Sequence, residues 1–222
     1  MATQHLDPEE QEQLDKIKAF WRQWGNIITW VLIAILGSYA SYNGWQFWQN
    51  RQGQASAQLF DQVKKAALSD DVDKLKRVVS DMSEQAPGAV LTQHAQLLLA
   101  KTALGKGDKD AARAALKSIN TKSSDDGLKA IAALRLVTLD MDAQQWASAL
   151  SALDELDKTA PDAFKGLVAD RRGDILLAKG DKTGAGVQFK AAWADLAGDN
   201  AYRQLVEVKL NALGLSVQNL AE

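Results

Sequence analysis

The sequence predicts an all-α protein: one N-terminal transmembrane helix, then a solenoid of about four helical hairpins closed by a capping helix. Three observations lead there. Residues 23 to 50 hold no charge between Arg22 and Arg51. A small residue followed four later by a large apolar one recurs further on, at spacings of 37 and 36. No long alternation of Val, Ile and Thr appears, so a sheet is not expected.

The N-terminal tail, residues 1–22, sets Asp7, Glu9, Glu10, Glu12 and Asp15 against Lys16, Lys18 and Arg22, a net charge of −2. Leu14, Ile17, Phe20 and Trp21 recur at amphipathic spacing, as in a helix lying at a membrane surface. The apolar segment follows. At about 1.5 Å per residue, a helix from Trp24 to Trp48 spans roughly 36 Å, against about 30 Å for a bilayer core. Trp21 and Trp24 stand at one end, and Trp45 and Trp48 at the other. Indole is apolar with one polar N–H, so these four are the candidate membrane-interface residues. Few buried helices of soluble proteins stay uncharged for so long. Ser38-Tyr39-Ala40 resembles a signal-peptidase site after the Ile27–Leu36 core. Against cleavage, the preceding segment is long and acidic where a signal peptide is short and basic. The aromatic run also continues past that site to Trp48. A retained single-pass anchor is therefore expected.

Lys16, Lys18 and Arg22 lie within eight residues of Trp24, and only Arg51 is as close on the other side. That asymmetry favours a cytoplasmic N-terminus. In a Gram-negative inner membrane the C-terminal part would face the periplasm. The expected boundaries are a cytoplasmic tail at 1–22, the span and its flanks at 23–50, and a periplasmic domain at 51–222. Arg51–Ala57 has one Gly and no Pro, so a helix can continue through it.

The repeat emerges from two similar segments, Lys106–Leu116 (KGDKDAARAAL) and Lys179–Phe189 (KGDKTGAGVQF). Asp142–Leu153 supplies a copy between them. The small/large pairs are Ala112/Leu116, Ala149/Leu153 and Ala185/Phe189, with Leu75/Val79 one step earlier. Eight residues before each anchor come Ala67, Leu104, Met141 and Leu177; twelve before come Val63, Ala100, Val137 and Gly173. Pro87 and Pro161 follow the first and third units. This is the frame of a tetratricopeptide repeat, two antiparallel helices per unit. The small residue lets them approach and the large one fills the groove. Leu75 departs from the small-residue rule. Gly105–Asp108 and Lys179–Asp181 fall between the helices of a unit, where Gly ends one helix and Asp caps the next. Ser123–Gly127 marks the break between units two and three. Asn200–Leu213 reads as the capping helix, with Leu205, Val208 and Leu213 apolar and Arg203, Glu207 and Lys209 polar.

Composition narrows the chemistry. Hydrophobic content is 46% and charged content 24%, as in a folded protein. Beyond the tail, 23 basic residues balance 23 acidic ones. A balanced domain has no electrostatic reason to seek nucleic acid, whose binding needs a basic face. With no cysteine there is no disulfide and no thiolate chemistry. A phosphate loop needs G-x-x-x-x-G-K-[ST] after a strand; here Asp181 precedes Lys182-Thr183 and no strand is expected. His5 and His94 are too far apart for a triad or a zinc site. Asp125-Asp126 and Asp154-Glu155 read as turn and solvated-face residues. Arg171-Arg172 could hold an acidic partner, or pair with Asp170 or Asp174. No catalytic, cofactor or metal residues emerge, and an enzyme is not expected. The residues that touch a partner are not identifiable from sequence.

The whole architecture resembles the YfgM family of proteobacterial inner-membrane proteins. The resemblance rests on the acidic tail, the span ending in Trp45-Gln46-Phe47-Trp48, the stretch Leu128–Leu136 (LKAIAALRL) and Ala169–Ala185 (ADRRGDILLAKGDKTGA). It implies one transmembrane helix and a periplasmic tetratricopeptide-like domain. It also implies a role ancillary to the SecYEG translocon, beside the membrane-anchored chaperone PpiD, in handing exported polypeptides to periplasmic chaperones. The alternative it implies is regulation of envelope stress signalling, through the Rcs response regulator and the cytoplasmic tail. Membrane lipid, the translocon, a PpiD-like chaperone and exported chains are thus the expected partners. The family supplies no catalytic residues to carry over.

Overall fold

The computed structural model describes residues 8–69, 71–196 and 201–216; side chains are described from Lys18 on, apart from residues 45–52, 54 and 55. Among these residues every element is helical. The chain divides into two units, Met1–Gln54 and Ala55–Glu222.

Helix α1 runs Pro8–Leu68, and Gly53 does not interrupt it. It begins in the first unit and ends in the second. Within the first unit, Lys18–Gly44 is long and apolar enough to cross a membrane, with a mean hydropathy of 1.3. Three of its polar side chains turn back on their own helix. Thr29 donates to the Gly25 carbonyl at 2.7 Å, Ser38 to Ala34 at 2.8 Å, and Asn43 to Tyr39 at 2.9 Å. Such bonds satisfy polar groups where no water can.

The second unit is built of antiparallel hairpins. The end of α1 pairs in sequence with α2 (Val72–Gln85), α3 (Val90–Gly105) with α4 (Lys109–Lys122), α5 (Asp126–Asp142) with α6 (Trp146–Thr159), and α7 (Lys165–Ala178) with α8 (Lys182–Asp195). A short 3-10 turn, Asp162–Phe164, precedes α7, and α9 (Ala201–Ala212) packs on the last hairpin. Among the described residues, four aspartates cap helix starts. Asp71, Asp108, Asp125 and Asp181 each accept from the backbone N–H three residues on, satisfying one orphan donor of the first turn. The turns of the second, third and fourth hairpins share one geometry. Gly107 at φ +80° and Gly180 at φ +86° take the left-handed turn position, which costs glycine nothing. In the third hairpin Gln144 holds the same position at φ 55°, and Gln145 begins α6 without a side-chain cap. Pro87 and Pro161 lie just past the ends of α2 and α6, as a residue without an N–H should.

Three apolar clusters fill the hairpins, each shared between neighbours. The first gathers Leu75, Val79, Leu116 and Ile119 with Leu128 and Leu139 of α5. Val137, Leu153 and Ile175 centre the second. Phe189, Val206 and Leu210 centre the third. Fully burying one such side chain contributes about 1.5–3 kcal/mol, so stability accrues hairpin by hairpin.

Charged pairs fasten each boundary. Lys76 of α2 lies 2.6 Å from Asp108, at the start of α4. Arg113 of α4 meets Asp140 of α5 at 2.6 Å, and Ser148 of α6 donates to the same carboxylate at 2.7 Å. Arg172 of α7 bridges Asp154 and Asp157 of α6, 2.7 Å from each. Lys209 of α9 reaches Asp170 and Asp174 of α7, again at 2.7 Å.

The cap differs from the sequence reading in one respect. Leu205 and Val208 are exposed, and Val206 and Leu210 are buried. Lys209 turns inward toward Asp170, and the buried face runs through Val206 and Leu210. Leu104 and Leu177, eight residues before their anchors, are also exposed. They stand in the last turns of α3 and α7, where the partner helix has not yet begun.

Candidate interaction surface

The residues predicted to pack the repeat occupy the interior. Ala112 and Leu116 on α4, Ala149 and Leu153 on α6, and Ala185 and Phe189 on α8 are fully buried. Leu75, the departure from the rule, is fully buried as well. Each large residue shares a cluster or a contact with the position twelve before its anchor. Val79 goes with Val63, Leu116 with Ala100 and Leu153 with Val137. Phe189, the bulkiest of the set, lies against Gly173. With these side chains committed to packing, a surface for partners must come from elsewhere on the hairpins.

Two clefts open on the first helices of the hairpins. One, of about 580 Å³, lies between the end of α1 and α3, lined by Lys64, Ala67, Leu68, Leu98, Lys101 and Thr102 among others. The other, of about 230 Å³, involves α5, α7 and α9, with Leu134, Arg135, Thr138, Leu167, Arg171 and Tyr202. Repeat positions tie them together. Lys64, Lys101 and Thr138 stand eleven residues before their anchors, and Leu98, Arg135 and Arg171 fourteen before. Equal offsets in equivalent helices project to one face, so both clefts belong to the first-helix side of the array.

The electrostatics of this face are uneven. Lys64 pairs with Asp61 at 2.6 Å, and that ammonium holds the Asp61 carboxyl below the usual range. Lys101 and Arg135 are exposed, and neither forms an ion pair or hydrogen bond among the described residues. Arg171 is engaged by Asp174 at 3.0 Å. Tyr202 donates to Asp170 at 2.6 Å; burial, then that bond, pushes its hydroxyl far above the ordinary tyrosine value. Tyr202 therefore serves as a neutral donor anchoring α9.

The other candidates fall into structural roles. His94 is exposed on α3. Asp125 caps α5 and Asp126 pairs with Lys129 at 2.9 Å. Arg171 takes the neighbours expected for it, while Arg172 reaches across to α6, a partnership that adjacency in sequence could not reveal. Among the described residues no three His, Asp or Glu side chains gather as for a metal ion. Trp21 and Trp24 are about half exposed on α1. Trp21 lies over Gly25, where a Cβ would be 2.8 Å from its ring. The side chains of Trp45 and Trp48, like residues 1–7 of the tail, lie outside the described residues.

Comparison with known proteins agrees with this architecture. Residues 18–215 match the family model of the tetratricopeptide repeat-like domain. A Haemophilus influenzae protein named ancillary SecYEG translocon subunit is 31% identical over 92% of this chain and 98% of its own. Proteins of the same name are 32% identical in Aggregatibacter actinomycetemcomitans, over 92% of this chain and 98% of that one, and 29% identical in Escherichia coli, over 93% and 97%. No solved structure matches the chain significantly. Spanning both the apolar helix and the hairpin array, these matches show that the chain belongs to the YfgM family, whose curated members are named ancillary SecYEG translocon subunits and carry a tetratricopeptide repeat-like domain.

Proposed function

We propose that this protein is a membrane-anchored interaction module ancillary to the SecYEG translocon. Its hairpin array would stand in the periplasm and help pass exported chains, with a PpiD-like chaperone, to periplasmic folding factors. The carrying observation is the Lys18–Gly44 helix, whose most apolar stretch is almost wholly unburied, at 6%. An uncovered apolar helix of that length is stable in lipid and not in water. Trp21 and Trp24 at one end, and Trp45 and Trp48 at the other, would sit at the headgroup level. The names of the relatives support the translocon as the place of work. A tethered module has an effective concentration of about millimolar, so weak contacts with emerging chains suffice.

The test is photocrosslinking in intact membranes, from probes in the span and on the first-helix face. Adducts with translocon subunits and a PpiD-like chaperone are expected; their absence from every position would overturn the proposal. A reporter active only outside the cytoplasm, fused after Glu222, tests the orientation at the same time. Deleting Met1–Arg22 with the span kept should leave the adducts in place. Loss of function on that deletion, with adducts intact, would point instead to a regulator of envelope stress signalling acting through its tail.

A further inference from the structure

The first-helix face carries a chemical preference of its own. Helix α3 holds no carboxylate from Val90 to Gly105; its only ionisable groups are His94 and Lys101. The cleft it forms with the end of α1 brings Leu68, Ala67 and Leu98 together with Lys101 and with Lys64, which Asp61 pairs at 2.6 Å, and no carboxylate is among the described residues that line it. Leu68 is 86% exposed, the largest exposure among the described large apolar residues of the array. One hairpin further on, Arg135 borders the second cleft beside Leu134 and Leu167. Outside the tail the chain is charge-balanced, so the cationic character of this face is local.

We propose that this face takes extended polypeptide segments in which apolar side chains are bracketed by carboxylates. An apolar side chain seats between Leu68 and Leu98, a neighbouring carboxylate meets Lys101, and a second reaches Arg135 on the next hairpin. The repetition favours a chain over a compact ligand. Lys101 and Arg135 sit on neighbouring first helices at repeat positions three residues apart, hence on one face, which suits a segment crossing several helices. Apolar contact supplies affinity, and the cations select against basic segments. This inference names the substrate class and rests on the proposed role as an interaction module.

The experiment uses the full-length chain in detergent micelles and three fluorescein-labelled peptides of twelve residues. They share one leucine pattern and carry glutamate, serine or lysine at the intervening positions. Fluorescence anisotropy is read at low and high salt. The glutamate peptide is expected to bind at least about tenfold more tightly than the lysine peptide, with the gap narrowing as salt screens the face. Lys101→Glu should invert that order. Leu68→Ser, at a solvent-exposed position, should weaken the glutamate peptide severalfold and leave the fold intact by circular dichroism. Equal binding of the three peptides would overturn the inference, as would indifference to Lys101→Glu. So would selective capture of vesicles rich in phosphatidylglycerol, abolished by Lys101→Glu, with no discrimination among peptides. Failure here with translocon adducts intact removes only this preference. Loss of the adducts with peptide selectivity intact removes the cellular role and leaves the preference standing.

Discussion

Gly173 and Phe189 occupy one volume: a Cβ placed on Gly173 would stand 2.5 Å from Cε1 and 2.6 Å from Cδ1 of Phe189. Phe189 is the largest fully buried side chain among the described residues, and it fits because the helix opposite gives up its own. The other hairpins divide the same space more evenly, as Val63 with Val79 and Val137 with Leu153.

Gly173→Ala should therefore destabilise the array despite adding a better helix former. Overpacking costs about 1–3 kcal/mol, against roughly 1 kcal/mol gained in helix propensity. The double variant Gly173→Ala with Phe189→Leu should recover more than the single effects sum to, since the two sites share one volume. Thermal unfolding followed by circular dichroism reads both. Strict additivity would mean that the ring moves aside freely.

Lys209 is the counterion of a carboxylate with no exposure to solvent. Asp170 is 0% exposed, with Lys209 at 2.7 Å and Tyr202 at 2.6 Å. Lys209→Ala leaves that charge buried beside the neutral Tyr202 donor and the longer Arg171 pair at 3.7 Å, and should cost up to about 3 kcal/mol. The loss should be local, with hydrogen exchange accelerating in α9 before α3 or α5. Arg172→Ala is the contrast. Its partners Asp154 and Asp157 are 66% and 41% exposed, and the change should cost less than about 1 kcal/mol.

The third hairpin turn can be improved from its neighbours. Gln144 at φ 55° stands where the second and fourth hairpins place Gly107 and Gly180, and Gln145 where they place Asp108 and Asp181. Gln144→Gly relieves the left-handed strain, and Gln145→Asp supplies the missing cap. Together they should stabilise by about 1–2 kcal/mol and raise the thermal midpoint. An unchanged or lower midpoint would contradict the strain.

The Lys76–Asp108 boundary should be sensitive to acid. The Lys76 hydrogen bond, then the Ala111 N–H, hold Asp108 below its ordinary 3.8. A depressed carboxyl stabilises above its unfolded value, and the benefit disappears as pH falls through the folded value. Lys76 is raised above 10.5, chiefly by the Asp108 bond, so its share is lost only as pH rises through that higher value. Asp108→Asn keeps a capping oxygen and removes the titration. Between about pH 5 and pH 3, the thermal midpoint of the variant should fall less steeply than that of the parent chain. Parallel curves would mean that the pair adds nothing.

The hairpin frame was legible because it is written in short-range signals: Gly-Asp turns, aspartate caps and small/large pairs four apart. Those follow from backbone geometry and helix periodicity, and the two Gly-Asp turns lie where α4 and α8 begin. What escaped depends on which helices face each other. Arg172 finds α6 and not its neighbours in sequence, and Lys209 turns α9 so that Leu205 and Val208 face out. Nor could the clefts be read. Lys101 and Arg135 look like ordinary surface cations until the repeat frame sets them eleven and fourteen residues before their anchors, three apart and so on one face.

The four boundary pairs carry a polarity. At the first two the cation comes from the earlier hairpin, Lys76 and Arg113; at the last two it comes from the later element, Arg172 and Lys209. The third hairpin thus offers carboxylates at both edges, Asp140 behind and Asp154 with Asp157 ahead. Were it excised, an arginine edge would meet an arginine edge, and the shortened stack would repel itself where it should join. The hairpins are therefore not interchangeable parts: charge at their borders spells the order in which they may be read, and chains that lose or exchange the third one are penalised before any partner is met.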